Sequence, residues 1–149
     1  MRIVIQRCYD ASVSVNGQIV GKINKGIMIL VGFTKGDNEQ ILNKMAYKTA
    51  NMRIFEDENS KMNKNLKAIN GDVLSISQFT LYANSKEGNR PSFIQAMNPK
   101  IASELYEKFN QKINSLGIPL VSGIFGADMK VSLLNDGPFT ILLDSAEIC

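Results

Sequence analysis

Ala11-Ser12-Val13-Ser14-Val15-Asn16-Gly17-Gln18-Ile19-Val20-Gly21-Lys22-Ile23 sets apolar residues among small and polar ones on both sides of an Asn-Gly pair. An apolar period of two marks a strand with one buried face. Asn-Gly between two such runs favours a type I′ turn, in which both central residues take positive φ. The stretch predicts a β-hairpin. Outward from it, Arg2–Arg7 alternates in the same way and Ile27–Phe33 is a nearly continuous apolar run, so the first third of the chain reads as β-structure.

Helical spacing begins further on. Asp37 and Gln40 stand as a capping box ahead of Ile41, Leu42, Met45, Ala46 and Thr49, which predicts a helix over about 38–51. Asn98 and Pro99 open a second helix with Ile101, Leu105, Phe109, Ile113 and Leu116 as its buried stripe and Gly117 as its stop. Between the helices Val73–Leu81 reads as a buried strand that leads into a polar loop, Asn84–Arg90. Pro119–Gly123, Lys130–Leu134 and Phe139–Leu143 are three further strand candidates, the last two joined by a Gly137-Pro138 hairpin turn. Strands predominate and the helices come in two separate blocks, which argues for an α+β fold over a doubly wound sheet. With no repeat, low-complexity tract or linker, residues 1–149 fit a single domain, long enough to bury a core without disulfides or metals.

Composition narrows the chemistry. The chain has no histidine, which removes Ser-His and Cys-His catalysis, His-ligated metals and the commonest general base together. Cys8 and Cys149 lie at opposite ends and match no metal-ligand spacing, so they read as a small buried residue and a terminal thiol in a reducing compartment. Neither a metal nor a cofactor is expected. There is no basic-then-apolar leader and no apolar run near 18 residues, so the expectation is a cytoplasmic protein without a membrane partner. Seventeen Lys and Arg against 14 Asp and Glu leave a net charge of +3, compatible with a polyanionic partner.

Three segments could carry chemistry. Ser77-Gln78-Phe79-Thr80 ends an apolar strand with hydroxyl, amide and hydroxyl side chains. Where ladder pairing stops, backbone N–H groups are free to hold an oxyanion or carbonyl oxygen, although the same residue types also bond their own local backbone. Thr80 invites a nucleophile reading, but an alcohol needs an adjacent base, and only a buried Lys86 or Lys130 could act as one. Phe125, Ala127 and Met129 lie in a Gly-rich segment, Gly123–Met129, and suit either a core or a pocket wall. Arg7, Lys86 and Arg90 suit either phosphate contacts or solvated surface charge.

Taken together, Met1–Arg7, Ser77–Leu81, Lys86–Phe93, Gly123–Met129 and Asn135–Thr140 closely resemble the D-aminoacyl-tRNA deacylase family, and the match runs from end to end. The resemblance implies β-sheets packed face to face with helices on one side, a three-layer β/β/α homodimer. It implies a hydrolase of carboxylic esters that removes D-amino acids from tRNA, a translation quality-control function, with glycyl-tRNA mischarged on tRNA-Ala as a further substrate. Ser77, Gln78, Phe79 and Thr80 become catalytic-site residues, Phe125, Ala127 and Met129 pocket residues, and Arg7, Lys86 and Arg90 tRNA contacts. Gly137-Pro138, if cis and reaching into the partner subunit's pocket, becomes a main-chain chirality filter, with catalysis leaning on the RNA. Phe139 stands where the family usually has a smaller Val. Two rival readings stay open: a nucleic-acid-binding module without catalysis, and a small-ester esterase acting through Thr80.

Overall fold

The computed structural model describes all 149 residues. The predicted hairpin forms between β1 (Arg2–Val15) and β2 (Gln18–Gly32), with Val15 paired to Gln18 and with Asn16 and Gly17 at φ 50° and 76°, as a type I′ turn requires. Each strand is longer than its sequence pattern suggests. The breaks expected near 8–10 and 24–26 are bends within continuous strands, and the main chain turns at Asp10, whose φ is 47°. The remaining elements are α1 (Glu39–Asn51), a short ribbon of β3 (Phe55–Glu56) and β4 (Met62–Lys64), β5 (Asp72–Ser77), α2 (Pro99–Ser115), β6 (Leu120–Ser122), β7 (Lys130–Asp144) and α3 (Ser145–Ile148). Five strands make one sheet in the order β6-β5-β2-β1-β7. Pairing is antiparallel for β1 with β2 and β7, and parallel for β2 with β5 and β5 with β6.

The fold is α+β, as expected, and its two apolar faces come from one sheet. Ile3, Ile5, Ile27, Ile29, Val31 and Val73 face the helices and pack with Leu42, Met45, Leu105, Phe109 and Ile113 in the larger core. On the opposite face Met28, Leu74 and Ile76 meet Cys8, Ala11, Val13 and Ile23, which belong to the far halves of β1 and β2. The face-to-face layers are thus one bent sheet folded over itself. No helix is long and apolar enough to cross a membrane.

Two local expectations are corrected. The cap of α1 is Asn38, whose side chain accepts from the Ile41 N–H at 3.1 Å; Asp37 is held elsewhere. Its carboxylate accepts from the buried Met1 ammonium at 2.6 Å and from the Thr34 N–H at 2.7 Å, while Ser145 Oγ takes the same ammonium at 2.7 Å. A buried charge demands a counter-charge far more strongly than a helix end demands a cap. On α2 the cap at Asn98 and the stop near Gly117 hold, but the buried stripe is Ala102, Leu105, Tyr106, Phe109 and Ile113, and Ile101 is 52% exposed.

Gly137-Pro138 is not a hairpin turn. Both flanking runs belong to β7 and pair with β1, Asn135 with Cys8 and Thr140 with Gln6, so Asp136–Phe139 stand opposite Arg7 alone. The segment is a bulge in a continuous strand, its Gly-Pro peptide bond is cis, and both residues are exposed. The turn signal was real, but long-range pairing with β1 decided that the chain continues instead of reversing.

Two outcomes follow for stability. Asp37→Asn leaves the buried ammonium without its counter-charge and should lower the unfolding free energy by about 3 kcal/mol, read by urea denaturation. For Asp144, burial pushes the carboxyl up, but the Arg2 guanidinium (2.8 Å) and the Ala146 N–H (3.0 Å) outweigh it and hold it below its ordinary value. Its stabilising contribution is therefore complete above the unfolded carboxylate range and lost as pH falls through the lower, folded value. The urea midpoints of wild type and Asp144→Asn should keep a constant separation from about pH 7 down to the ordinary carboxylate range near pH 4 and converge only below it.

Candidate functional site

The ladder of β5 on β2 ends where Ser77 meets Val31, and the Gln78 N–H still donates to Val31 O at 2.8 Å. The chain then turns abruptly into a 3-10 turn, Phe79–Tyr82, which no side chain caps. The opening N–H groups of such a turn have no acceptor within it, so those of Phe79 and Thr80 are free for a ligand oxygen. This turn lies so close to β2 that a Cβ on Gly32 would stand 2.8 Å from Gln78 O and 3.1 Å from Leu81 Cβ. Only glycine allows that approach.

The opposite wall is a second tight turn. Ala127 N–H donates to Ile124 O at 3.1 Å and Gly126 sits between them at φ 77°, the left-handed position a type II turn gives to glycine. The turn sets Phe125 against the buried Tyr106 ring at 5.9 Å between centroids, and the Tyr106 hydroxyl donates to Ser75 O at 2.8 Å. With Phe93–Pro99 and Ala102 of α2, these elements enclose a half-open cavity of about 750 Å³. Its wall is mostly apolar, with Ser77, Gln78, Asn98 and Asp128 as the polar exceptions.

Most of the residues named from sequence meet here. Ser77, Gln78, Phe79, Phe125, Ala127 and Met129 line the cavity. Thr80 lies just behind that lining, with its Oγ1 accepting from Gln78 Nε2 at 2.6 Å. An amide donor is no base, and neither lysine candidate is desolvated: Lys130 is exposed and paired with Asp128 at 3.0 Å, and Lys86 is in an exposed loop. Nothing activates Thr80 as a nucleophile. No cluster of three His, Cys, Asp or Glu side chains is placed to hold a metal.

The rest lie elsewhere. Within one chain Gly137 and Pro138 are on β7, separated from Ser77 on β5 by β2 and β1. Arg7, read as a phosphate contact, has a different task, and its side chain is only 13% exposed. Its Nε reaches Asp136 O (3.1 Å) and the Asp136 carboxylate (3.2 Å), Nη1 donates to Ile54 O (2.9 Å), and the guanidinium lies 4.8 Å over the Phe139 ring. Together with Asn135, whose Oδ1 accepts from the Phe139 N–H at 2.8 Å, Arg7 fixes the bulge. Phe139 packs beside the helix-side core and does not line the cavity. Lys86 and Arg90 are exposed, on the loop tied at Asn84 and Ser92 that leads into the cavity residue Phe93. Missed from sequence as cavity residues were Gly32, Phe93, Ile94, Ala96, Met97, Asn98, Pro99 and Ala102; Asn98 and Pro99 left a signal only as a helix start and Phe93 only at the end of a resembling segment.

An apolar cavity with free main-chain donors at a strand terminus can bind and polarise an acyl group, and the α+β scaffold around it has relatives. The model of the family described as D-Tyr-tRNA(Tyr) deacylase matches residues 4–144. Two proteins named D-aminoacyl-tRNA deacylase, from Lactobacillus acidophilus and Limosilactobacillus reuteri, are 56% and 54% identical over 144 residues, 97% of this chain and 99% of each relative. A solved structure titled c-Myc DNA Unwinding Element Binding Protein superposes with a TM-score of 0.91 at 37% identity, over 97% of this chain and 98% of that one. A probable eukaryotic D-amino acid tRNA deacylase shares the fold, with a TM-score of 0.84 at 17% identity over 95% and 97%. The chain belongs to the D-Tyr-tRNA(Tyr) deacylase family.

Gly32→Ala tests the geometry of the strand end. Its methyl meets main chain that cannot swing aside, so stability should fall by about 1–3 kcal/mol, and the 3-10 turn carrying the Phe79 and Thr80 N–H groups should move. Thermal unfolding and turnover of an acyl substrate measured together should show activity lost at temperatures where the variant is still folded.

Proposed function

We propose that this chain hydrolyses the ester between a D-amino acid and the terminal ribose of tRNA, releasing the free D-amino acid and the tRNA. Family membership makes it a hydrolase of the aminoacyl-tRNA ester bond, and one observation carries the finer reading. The free N–H groups of the Phe79–Tyr82 turn open beside an apolar cavity whose volume suits an aminoacyl group.

Water attacks the carbonyl carbon, and the tetrahedral oxyanion takes the Phe79 and Thr80 N–H groups as donors. The departing ribose oxygen takes up a proton as the C–O bond breaks. With no histidine in the chain, the neighbouring ribose hydroxyl orients the attacking water, and the protein contributes position and electrostatics. No metal is required.

Stereochemistry is assigned to Gly137-Pro138 of a second copy of the chain. The bulge is exposed on its own subunit and firmly held by Arg7 and Asn135, as a main-chain wall must be. In a homodimer it would stand where the side chain of an L-amino acid would have to go. Thousandfold rejection needs about 4 kcal/mol, more than the ~1–3 kcal/mol an apolar pocket gains per methylene. Glycine has no side chain to exclude, so glycyl-tRNA passes the same wall. The neighbour titled as a DNA-binding protein supports the alternative of nucleic-acid binding without catalysis.

The test is release of D-tyrosine against L-tyrosine from charged tRNA. The expected outcome is release of the D form at least 10³-fold faster, no loss of activity with EDTA, appreciable activity in Thr80→Ala, and a much poorer reaction on tRNA ending in 2′-deoxyadenosine. Binding of tRNA with no release of either isomer would favour the binding module; an acyl-enzyme trapped on Thr80 would favour the esterase.

A further inference from the structure

The cavity mouth carries a surface that hydrolysis of the ester does not itself use. Phe79 and Phe93 stand edge to face, ring centroids 5.1 Å apart, yet are 57% and 38% exposed, and Ile94 beside them is 92% exposed. Four exposed cations, Lys35, Lys86, Arg90 and Lys100, lie on the segments that flank them, and none is in an ion pair.

Main-chain contacts hold these groups together. Asn84 and Ser92 exchange backbone hydrogen bonds at 2.8 and 2.9 Å, so Lys86 and Arg90 sit on a tied loop whose return leg delivers Phe93 and Ile94. Thr34 pairs antiparallel with Ala96 and its hydroxyl donates to Gln95 O at 2.6 Å, which puts Lys35 across from Gln95. Lys100 lies in the first turn of α2, just after the cavity residues Asn98 and Pro99. Against these cations the nearby acidic residues are Glu87, on the same loop, Glu104, one helical turn from Lys100, Asp37, which the Met1 ammonium already pairs, and Asp128, which Lys130 pairs. Protein–protein interfaces are depleted of lysine. Exposed aromatic faces interleaved with free cations are instead the footprint of single-stranded nucleic acid, whose bases stack and whose phosphates pair.

We propose that this strip seats the unpaired nucleotides that precede the terminal adenosine of tRNA, with bases against Phe93 and Ile94 and phosphates on Lys35, Lys86, Arg90 and Lys100. The inference rests on the deacylase reading and adds the path by which the RNA leaves the cavity.

The test compares D-aminoacyl-tRNA with 3′-O-D-aminoacyl-adenosine, which has the ester and the last nucleoside but no phosphate. Lys35→Gln/Lys100→Gln should raise KM for the tRNA several-fold at unchanged kcat and leave turnover of the nucleoside ester as in wild type. Each lost cation should flatten the dependence of log KM on log salt by about 0.7. Ile94→Lys should lower KM for tRNA and Ile94→Asp raise it. An unchanged salt slope, an equal loss on both substrates, or two Ile94 variants that both change the sedimentation coefficient would overturn the proposal, the last by making this face a contact between copies of the chain. If the wild type releases no amino acid at all, the deacylase reading falls; filter binding of uncharged tRNA to the same variants then decides the strip separately.

Discussion

Everything in this fold depends on β1 being hydrogen-bonded along nearly its whole length to two partners, β2 on one side and β7 on the other. A strand of 14 residues is too long to stay flat beneath two helices that cover one face. It bends where its register shifts, between Gln6 and Cys8 and between Tyr9 and Ser12 on the β7 side, and between Val13 and Ser14 on the β2 side. The bend carries Cys8, Ala11 and Val13 over Leu74 and Ile76, so the sheet itself shields the face that the helices leave open. Bulges produce local curvature of this kind.

The cavity is a consequence of that curvature. Parallel pairing brings β5 beside β2 and ends at Ser77, while the folded-over half brings the end of β6 and the Phe125–Met129 segment to the same edge. Helix α2 closes the back with Ala102, and Tyr106, one turn on, packs against the cavity residue Phe125. The donors at Phe79 and Thr80 are thus held by elements remote in sequence, which is the preorganisation an oxyanion site needs. The bulge at Gly137-Pro138 is held just as firmly, through Arg7 and Asn135, but at the opposite end of the strand order. In one chain the two features are apart, and the proposed filter therefore calls on a second copy.

Such a site divides its work by chemistry. In the proposed reading main chain does what must not move, at the 3-10 turn and at the bulge, and side chains supply apolar volume around it. The cations are left to the rim, exposed and unpaired, where they can meet a polyanion without the desolvation penalty that burial would impose.

Where a contact was local, the sequence by itself was sufficient. Asn16-Gly17 determined the hairpin turn and Asn98-Pro99 the start of α2, because each rests on neighbours a few residues away, whereas the strand read over Val73–Leu81 stops at Ser77, where its ladder with β2 ends and Phe79–Tyr82 turn as a 3-10 helix. Tertiary structure decided the rest. Asp37 lost its predicted cap role to the Met1 ammonium, 36 residues away, since a buried charge outweighs an exposed helix end. Gly137-Pro138 became a bulge because both flanking runs found β1, and Arg7 left the surface to hold it. The need for glycine at position 32 was invisible in the sequence, because the Gln78 carbonyl it accommodates arrives only when β5 pairs with β2. Propensity and capping act over one turn of chain, whereas curvature, cavity and counter-charge exist only after distant segments pack.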